Sequence, residues 1–433
     1  MLEETTLQES QRPWPMRILH GASAASRVLG LERESAPLNA AELIAIAQKR
    51  AGLEDLGPDD VFEPLSRLLQ SCHRDAKLNL MGRIALRADI LHGLRNRLLL
   101  QRDRRRHPEI ANEEIRRPLF IVGLPRTGTT ILHTLLMADP EHRAPLTWEV
   151  MEPSPLGDEQ KQSRVRRAAL SLACLRWLAP AFPRLHPVGA ELPQECVSVM
   201  SLSFLSDQFD TMYNIPSYRA WFLRQDLSVA YEWHRRFLQH RQFGGRPARW
   251  ILKAPAHMFA LPSLLSAYPD ARFVQTHRAP LDAITSVSSL ITILRRIFSD
   301  SVDPVAVGRE AMRYWEKTLE NFLIERDRLA PDRICDLPYR DLKRDPIEAM
   351  RRLYAHFRWP LSSEVEARMR HVLATQPRDQ VGCHRYEPSQ FGLEADEMAR
   401  SFANYCERFD LPVQENRSST LRPSPMAALS AGQ

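Results

Sequence analysis

Pro118-Leu119-Phe120-Ile121-Val122-Gly123-Leu124-Pro125-Arg126-Thr127-Gly128-Thr129-Thr130 joins an apolar run to a glycine-flanked turn, and Ile131, Leu132, Leu135 and Leu136 follow at helical spacing. The four residues Leu119 to Val122 predict a buried strand, and the pattern after Thr130 predicts a helix. A strand, a tight loop and a helix N-terminus together make a phosphate cradle: glycines let backbone N–H groups come close, and the helix start adds partial positive charge. An ATP-type loop of the form GxxxxGK[ST] would carry lysine directly after its second glycine. Here Thr129 holds that place, and the basic residue of the loop is Arg126. The loop therefore suits a phosphate-like group better than a nucleoside triphosphate.

Three further segments extend the pattern. Trp250-Ile251-Leu252 predicts a strand that runs into Lys253-Ala254-Pro255. Ala271 to His277 predicts another, ending at Arg278-Ala279-Pro280 and followed by the helical spacing of Leu281, Ile284 and Leu290. Arg333 to Leu337 is a fourth, leading to Tyr339. Strands alternating with helices predict a parallel, doubly wound α/β sheet, whose ligands sit at the carboxyl ends of the strands. Upstream, residues 1–108 read as helical: Asn39 and Glu42 have capping-box spacing, and Ile84, Leu91, Leu94 and Leu98 recur on one helical face. The run Arg102, Arg104, Arg105 and Arg106 reads as a solvated helix end, because a nucleic-acid surface would interleave aromatics. Residues 416–433, rich in Ser, Pro and Ala, predict a disordered tail.

The chain of 433 residues is long enough for one large α/β domain with an appendage, or for two to three average domains. Its net charge of +6 suits an anionic ligand or surface, although arginines scattered over solvated helices supply the same sign. The six cysteines lie far apart with no C-x-x-C pair, which fits reduced thiols, and no cluster calls for a metal. The start, Met1-Leu2-Glu3-Glu4-Thr5, is acidic and polar rather than a secretory signal, so the expected location is cytoplasmic. The apolar run Ala168 to Phe182 contains Arg176 and is too short to span a bilayer.

Taken together, Gly123 to Thr130, Leu252-Lys253-Ala254-Pro255, and Arg278-Ala279-Pro280-Leu281-Asp282 with Ser286 resemble the PAPS-dependent sulfotransferases, nearest to the bacterial-type branch with an N-terminal helical extension. The likeness runs from about Leu38 to Leu411. It implies a P-loop NTPase-like parallel sheet with flanking helices over residues 109–415, with a helical acceptor-side insertion at about 157–245. It further implies that Arg126, Thr127, Gly128, Thr129 and Thr130 hold the 5′-phosphosulfate of PAPS. Arg278 and Ser286 match the family's clamp on the 3′-phosphate, which ATP lacks, and His384 and Arg385 offer a further, looser cationic contact. The implied activity is transfer of a sulfuryl group from PAPS to a hydroxyl, or an amine, of a small or lipid-like acceptor, releasing PAP.

Arg126 stands where many relatives have lysine; its planar fork retains the charge but is poorly suited to protonating a leaving group. Lys253 is expected to neutralise charge on the transferring group. Two residues compete as the base. Glu149 follows the first helix where some relatives place a catalytic glutamate. His257 lies near the histidine of cytosolic family members but is displaced by two positions, because Pro255 holds the family's place. Glu152, Glu191 and Glu195 are weaker candidates. The aromatics Trp177, Phe182, Phe204, Phe209, Tyr213, Tyr218, Trp221 and Phe222 suit either an apolar acceptor pocket or the core of a helical subdomain. The stretch Arg166 to Arg184, basic and apolar together, is also compatible with contact to a membrane surface. The rival readings are an ATP-using P-loop kinase or NTPase, which Thr129 disfavours, and a catalytically inactive anion-binding protein of the same fold.

Overall fold

A computed structural model describes residues 38–155, 159–178, 189–245, 248–375 and 387–414. Five parallel strands form its centre: β1 (Leu119–Gly123), β2 (His142–Arg143), β3 (Arg249–Lys253), β4 (Arg272–His277) and β5 (Ile334–Pro338), in the order β2-β3-β1-β4-β5. The expected strands are present within a residue or two. β2 escaped the sequence because two residues carry no period. β1 lies in the middle, with Leu119 paired to Ile251 of β3 on one side and to Arg272 of β4 on the other. β3 and β4, consecutive in the chain, lie on opposite sides of β1, so the strand order reverses across it. The crevice at its carboxyl end is therefore the switch point where doubly wound sheets bind ligands.

Successive side chains of a strand face opposite ways, and here each set has its own core. Phe120, Val122, Leu252 and Phe273 face one layer; Leu119, Ile121, Ile251, Val274 and Leu337 face the other, against Leu132, Leu135 and Met350. The first layer includes the N-terminal helices Ala40–Ala51, Phe62–Arg74 and Leu80–Arg106 through Leu43, Leu65 and Leu94. Each such side chain contributes roughly 1.5–3 kcal/mol on burial, so the helical front shares one core with the sheet. Its polar ties agree. Arg97, wholly buried, donates to the carbonyls of Leu56 and Leu202, pairs with Asp59 at 2.9 Å and stacks on Trp233. Asn39 caps its helix, accepting from the N–H groups of Ala41 and Glu42, which is one half of the expected capping box. Asn79 accepts from Gly82 N–H and donates to the carbonyl of Ile297, docking the long helix on the end of the Pro280–Phe298 helix.

This packing corrects one expectation and bears on an open alternative. The buried row of the Leu80–Arg106 helix is Leu86, Ile90, Leu94 and Leu98, each four residues from the next, and Ile84 lies off that row at 55% exposure. Phe204, Phe209, Tyr213, Tyr218 and Phe222 belong to the main core, with Tyr218 stacked on Phe222. These five support a subdomain rather than lining an acceptor pocket. Phe182 lies outside the described residues, as do His384, Arg385 and the 416–433 tail. Half of the basic run is tied down: Arg102 donates to Asp103, Ser154 and the carbonyl of Pro155, and Arg104 donates to Gln239, while Arg105 and Arg106 are exposed.

Candidate active site

The loop after β1 is held by close backbone approaches that only glycine permits. At Gly123, φ is +130° and an added Cβ would lie 2.5 Å from the carbonyl oxygen of Thr276 on β4. At Gly128, φ is +88° and an added Cβ would lie 2.8 Å from the Tyr339 ring. Arg126 also has positive φ, +68°, a conformation that costs a non-glycine residue on the order of 1 kcal/mol or more. The buried Thr127 hydroxyl donates to the carbonyl of Leu124 at 2.7 Å and meets the Thr276 hydroxyl, which pins the loop to β4. Gly128 leads into the Thr129–Leu136 helix with no side-chain cap, so the N–H groups of its first turn face the loop rather than a capping side chain.

Three side chains converge on this loop. Arg126 Nε donates to Ser286 Oγ at 3.1 Å, and Arg278 Nη1 donates to the Arg126 carbonyl at 2.8 Å. The Arg278 guanidinium lies over the Tyr339 ring, 4.7 Å from its centre. Arg278 directly follows β4 and Ser286 stands on the next helix, so the fold joins both members of the expected clamp to the loop arginine. The sequence placed Tyr339 at a strand end and Thr276 within a strand, but not their contacts to the loop, because each acts through a partner distant along the chain.

Lys253, at the carboxyl end of β3, is 2% exposed. Its Nζ lies 3.3 Å from Thr130 Oγ1 and 2.9 Å from Glu195 Oε1. A cation taken out of water needs such partners, since an unpaired one costs several kcal/mol. Glu195 precedes the Cys196–Met200 helix and is held there by the backbone bond from Gln194 N–H to the carbonyl of Pro145. Beneath Lys253, His133 donates Nε2–H to the carbonyl of Ile251; burial, then the Lys253 charge, holds its imidazole near a pKa of about 3. It is neutral and adds no second cation there.

The two expected bases are placed elsewhere. Glu149 is buried, its Oε1 accepting from Arg143 and Arg241 at 3.2 and 2.9 Å and its Oε2 from Leu146 N–H at 3.0 Å. Both oxygens are engaged in structural bonds. His257 is fully buried, bonded through Nδ1 to the Tyr231 hydroxyl at 2.8 Å and packed edge-on against Phe120 of β1. Burial pushes its pKa well below the ordinary value. Of the weaker candidates, Glu152 pairs with Arg95 and Arg167, and Glu191 is exposed.

A central strand, a glycine-flanked loop running into a helix N-terminus, and cations gathered at the switch point define a phosphate-loop α/β protein. The sequence profile of the sulfotransferase family matches residues 118–363. The chain belongs to the sulfotransferase family. It is 30% identical over 264 residues to the omega-hydroxy-beta-dihydromenaquinone-9 sulfotransferase Stf3 of Mycobacterium tuberculosis and of Mycobacterium bovis, an alignment covering 55% of this chain and 62% of those relatives. Among solved structures, it resembles sulfotransferase STF9 from Mycobacterium avium with a TM-score of 0.79 and 29% identity, over 88% of this chain and 99% of that one. Sulfotransferase STF1 from Mycobacterium tuberculosis matches with a TM-score of 0.75 and 32% identity, over 85% and 99% of the two chains. Among the described residues, no helix is long and apolar enough to cross a membrane.

Proposed function

We propose that this chain transfers a sulfuryl group from PAPS to the hydroxyl of a lipid-like acceptor, with Glu195 as the base. The observation that carries the reading is Lys253, buried and within reach of both the phosphate-loop helix at Thr130 and the Glu195 carboxylate. A base and a charge-neutralising cation at one strand end are what hydroxyl activation beside an anionic donor requires. The close backbone at Gly128 and the convergence of Arg126, Ser286 and Arg278 suit a nucleotide with anionic groups at both its 5′ and 3′ positions. When bound, PAPS supplies the sulfuryl group and departs as PAP.

In this reading Thr127 to Thr130 and Arg126 hold the 5′ end, and Arg278 and Ser286 hold the 3′-phosphate. Glu195 takes the proton of the acceptor hydroxyl as its oxygen bonds to sulfur. Lys253 and Arg126 stabilise the negative charge left on the bridging phosphate oxygen as the sulfur–oxygen bond breaks. The acceptor class follows Stf3, whose name specifies a hydroxylated dihydromenaquinone. The helical front, the sulfotransferase core and the 157–245 acceptor-side insertion retain their expected roles within this reading, as does a cytoplasmic location.

Calorimetric titration with PAP and with ADP, on wild type and Arg278→Ala, tests the donor. PAP should bind at least tenfold more tightly than ADP, and the variant should erase that preference. Glu195→Gln should keep the PAP affinity while turnover with a hydroxyl-terminated isoprenoid falls on the order of a hundredfold or more. Equal binding of ADP by wild type would sink the donor; unchanged turnover in the variant would remove Glu195 from the chemistry.

A further inference from the structure

The Lys161–Leu178 helix presents a mixed apolar and basic row to the outside. Its inward row is Arg164, Ala168 and Leu172, all buried. The opposite face carries Arg166, Leu170, Ala173, Cys174 and Trp177, all exposed, at spacings of three and four that place them on one stripe. Leu170 is 71% exposed, the highest value among the large apolar side chains described, and Trp177 is 49% exposed. Scattered surface leucines need no explanation, but a tryptophan and a leucine aligned on one stripe do.

Charge indicates what covers this face. The helix holds five basic residues and no Asp or Glu. Two of the five are used internally: Arg164 donates to the carbonyl of Glu152, and Arg167 pairs with Glu152 and Glu159. Lys161, Arg166 and Arg176 stay exposed at the surface, with Arg166 at one end of the apolar stripe and Arg176 beside Trp177. A second copy packed symmetrically on this face would bring like charges together. An anionic lipid surface would not, and tryptophan with flanking arginine is suited to the boundary between headgroups and acyl chains.

Position adds a second reason. The helix packs on the short Thr147–Met151 helix, where Lys161 and Arg164 lie over the Trp148 ring. That helix is bonded in turn to the backbone of Ala190 and Leu192, a segment that runs directly to Glu195 beside Lys253. Leu192 is itself 40% exposed. The apolar face and the proposed base thus share one connected support.

We propose that the outward face of the Lys161–Leu178 helix docks the protein on an anionic bilayer. Leu170 and Trp177 enter the headgroup boundary, and Arg166 and Arg176 pair with lipid phosphates. The inference goes beyond the transferase reading, because bilayer binding needs neither donor nor acceptor. Its test is co-sedimentation of the full chain at low ionic strength with phosphatidylcholine vesicles, with and without phosphatidylglycerol. Wild type should bind only the vesicles that contain phosphatidylglycerol, and added salt should release it. Leu170→Asp/Trp177→Asp should lose binding on the order of tenfold or more, with an unchanged melting temperature and PAP affinity. Arg166→Glu/Arg176→Glu, exposed positions whose exchange leaves the core intact, should do the same. Wild type left in the supernatant, equal binding to both vesicle types, or wild-type binding by either double variant would overturn the proposal. So would a wild-type dimer in light scattering that Leu170→Asp/Trp177→Asp converts to monomer, since a second copy would then cover the face.

Discussion

Arg126 combines two demands at one residue: its backbone holds a left-handed turn while its side chain reaches Ser286. Arg126→Ala keeps the turn geometry under strain but removes the guanidinium. Turnover should fall roughly a hundredfold to a thousandfold, the usual effect of deleting a donor aimed at developing charge. Thr147→Ala, which loses one hydroxyl bond to the carbonyl of Leu192, should stay near wild type in the same assay. Near-equal rates in the two variants would remove Arg126 from the mechanism. Glu149 makes the complementary case. Its carboxylate lies against Arg143 and Arg241 in a buried setting, so Glu149→Gln leaves two cations without their counter-charge. Unfolding free energy in urea should drop by about 3–5 kcal/mol, while the turnover of the folded fraction stays close to wild type. A stable variant with lost turnover would return Glu149 to the chemistry.

At the scale of elements, the loop between β1 and the Thr129–Leu136 helix was the most legible part of the chain. Its strand, glycines and helix are local features, and local sequence specifies them. Gly128 shows how little tolerance the loop has, since an added Cβ would press on both Tyr339 and Leu342. Gly128→Ala should therefore weaken PAP binding by about tenfold or more, following a strain of order 1–3 kcal/mol. Unchanged affinity in calorimetry would mean that the loop relaxes freely. Elements that depend on distant partners were less legible. β2 exists only because His142 and Arg143 pair with Arg249 and Trp250 of β3. The inward row of the Leu80–Arg106 helix was misplaced at Ile84, because helical spacing alone does not say which face the sheet will cover.

Across the whole molecule, buried histidines govern the response to acid. Burial holds the imidazoles of His133 and His234 near 3 and that of His240 near 4, and drives His257 well below its ordinary value. Each binds a proton more weakly when folded. The stability it contributes is therefore full above pH 6.5 or so and is lost as pH falls. Asp207, pushed up to about 7 by burial and by the Glu195 charge, and Asp89, pushed up to about 6 by burial, act in the opposite sense. Below pH 6 the four histidines outnumber these two carboxyls. Stability should then decline by about 1.4 kcal/mol per pH unit for each uncompensated proton. Urea midpoints followed by circular dichroism should fall between pH 6 and pH 5. A midpoint that rose over that range would show that the carboxyls dominate.

Local chemistry written in the chain was enough to announce the phosphate loop, the parallel strands and the family. Glycine positions, strand-length apolar runs and strand-end cations act within a few residues of one another. Where each candidate base sits needed the tertiary structure. Glu149, His257 and Glu195 each stand in the sequence as a single titratable residue with no local signal of its partners. Folding commits the first to Arg143 and Arg241 and buries the second against Phe120 and Tyr231. Only Glu195 is brought beside Lys253, across a stretch of chain that no local pattern spans.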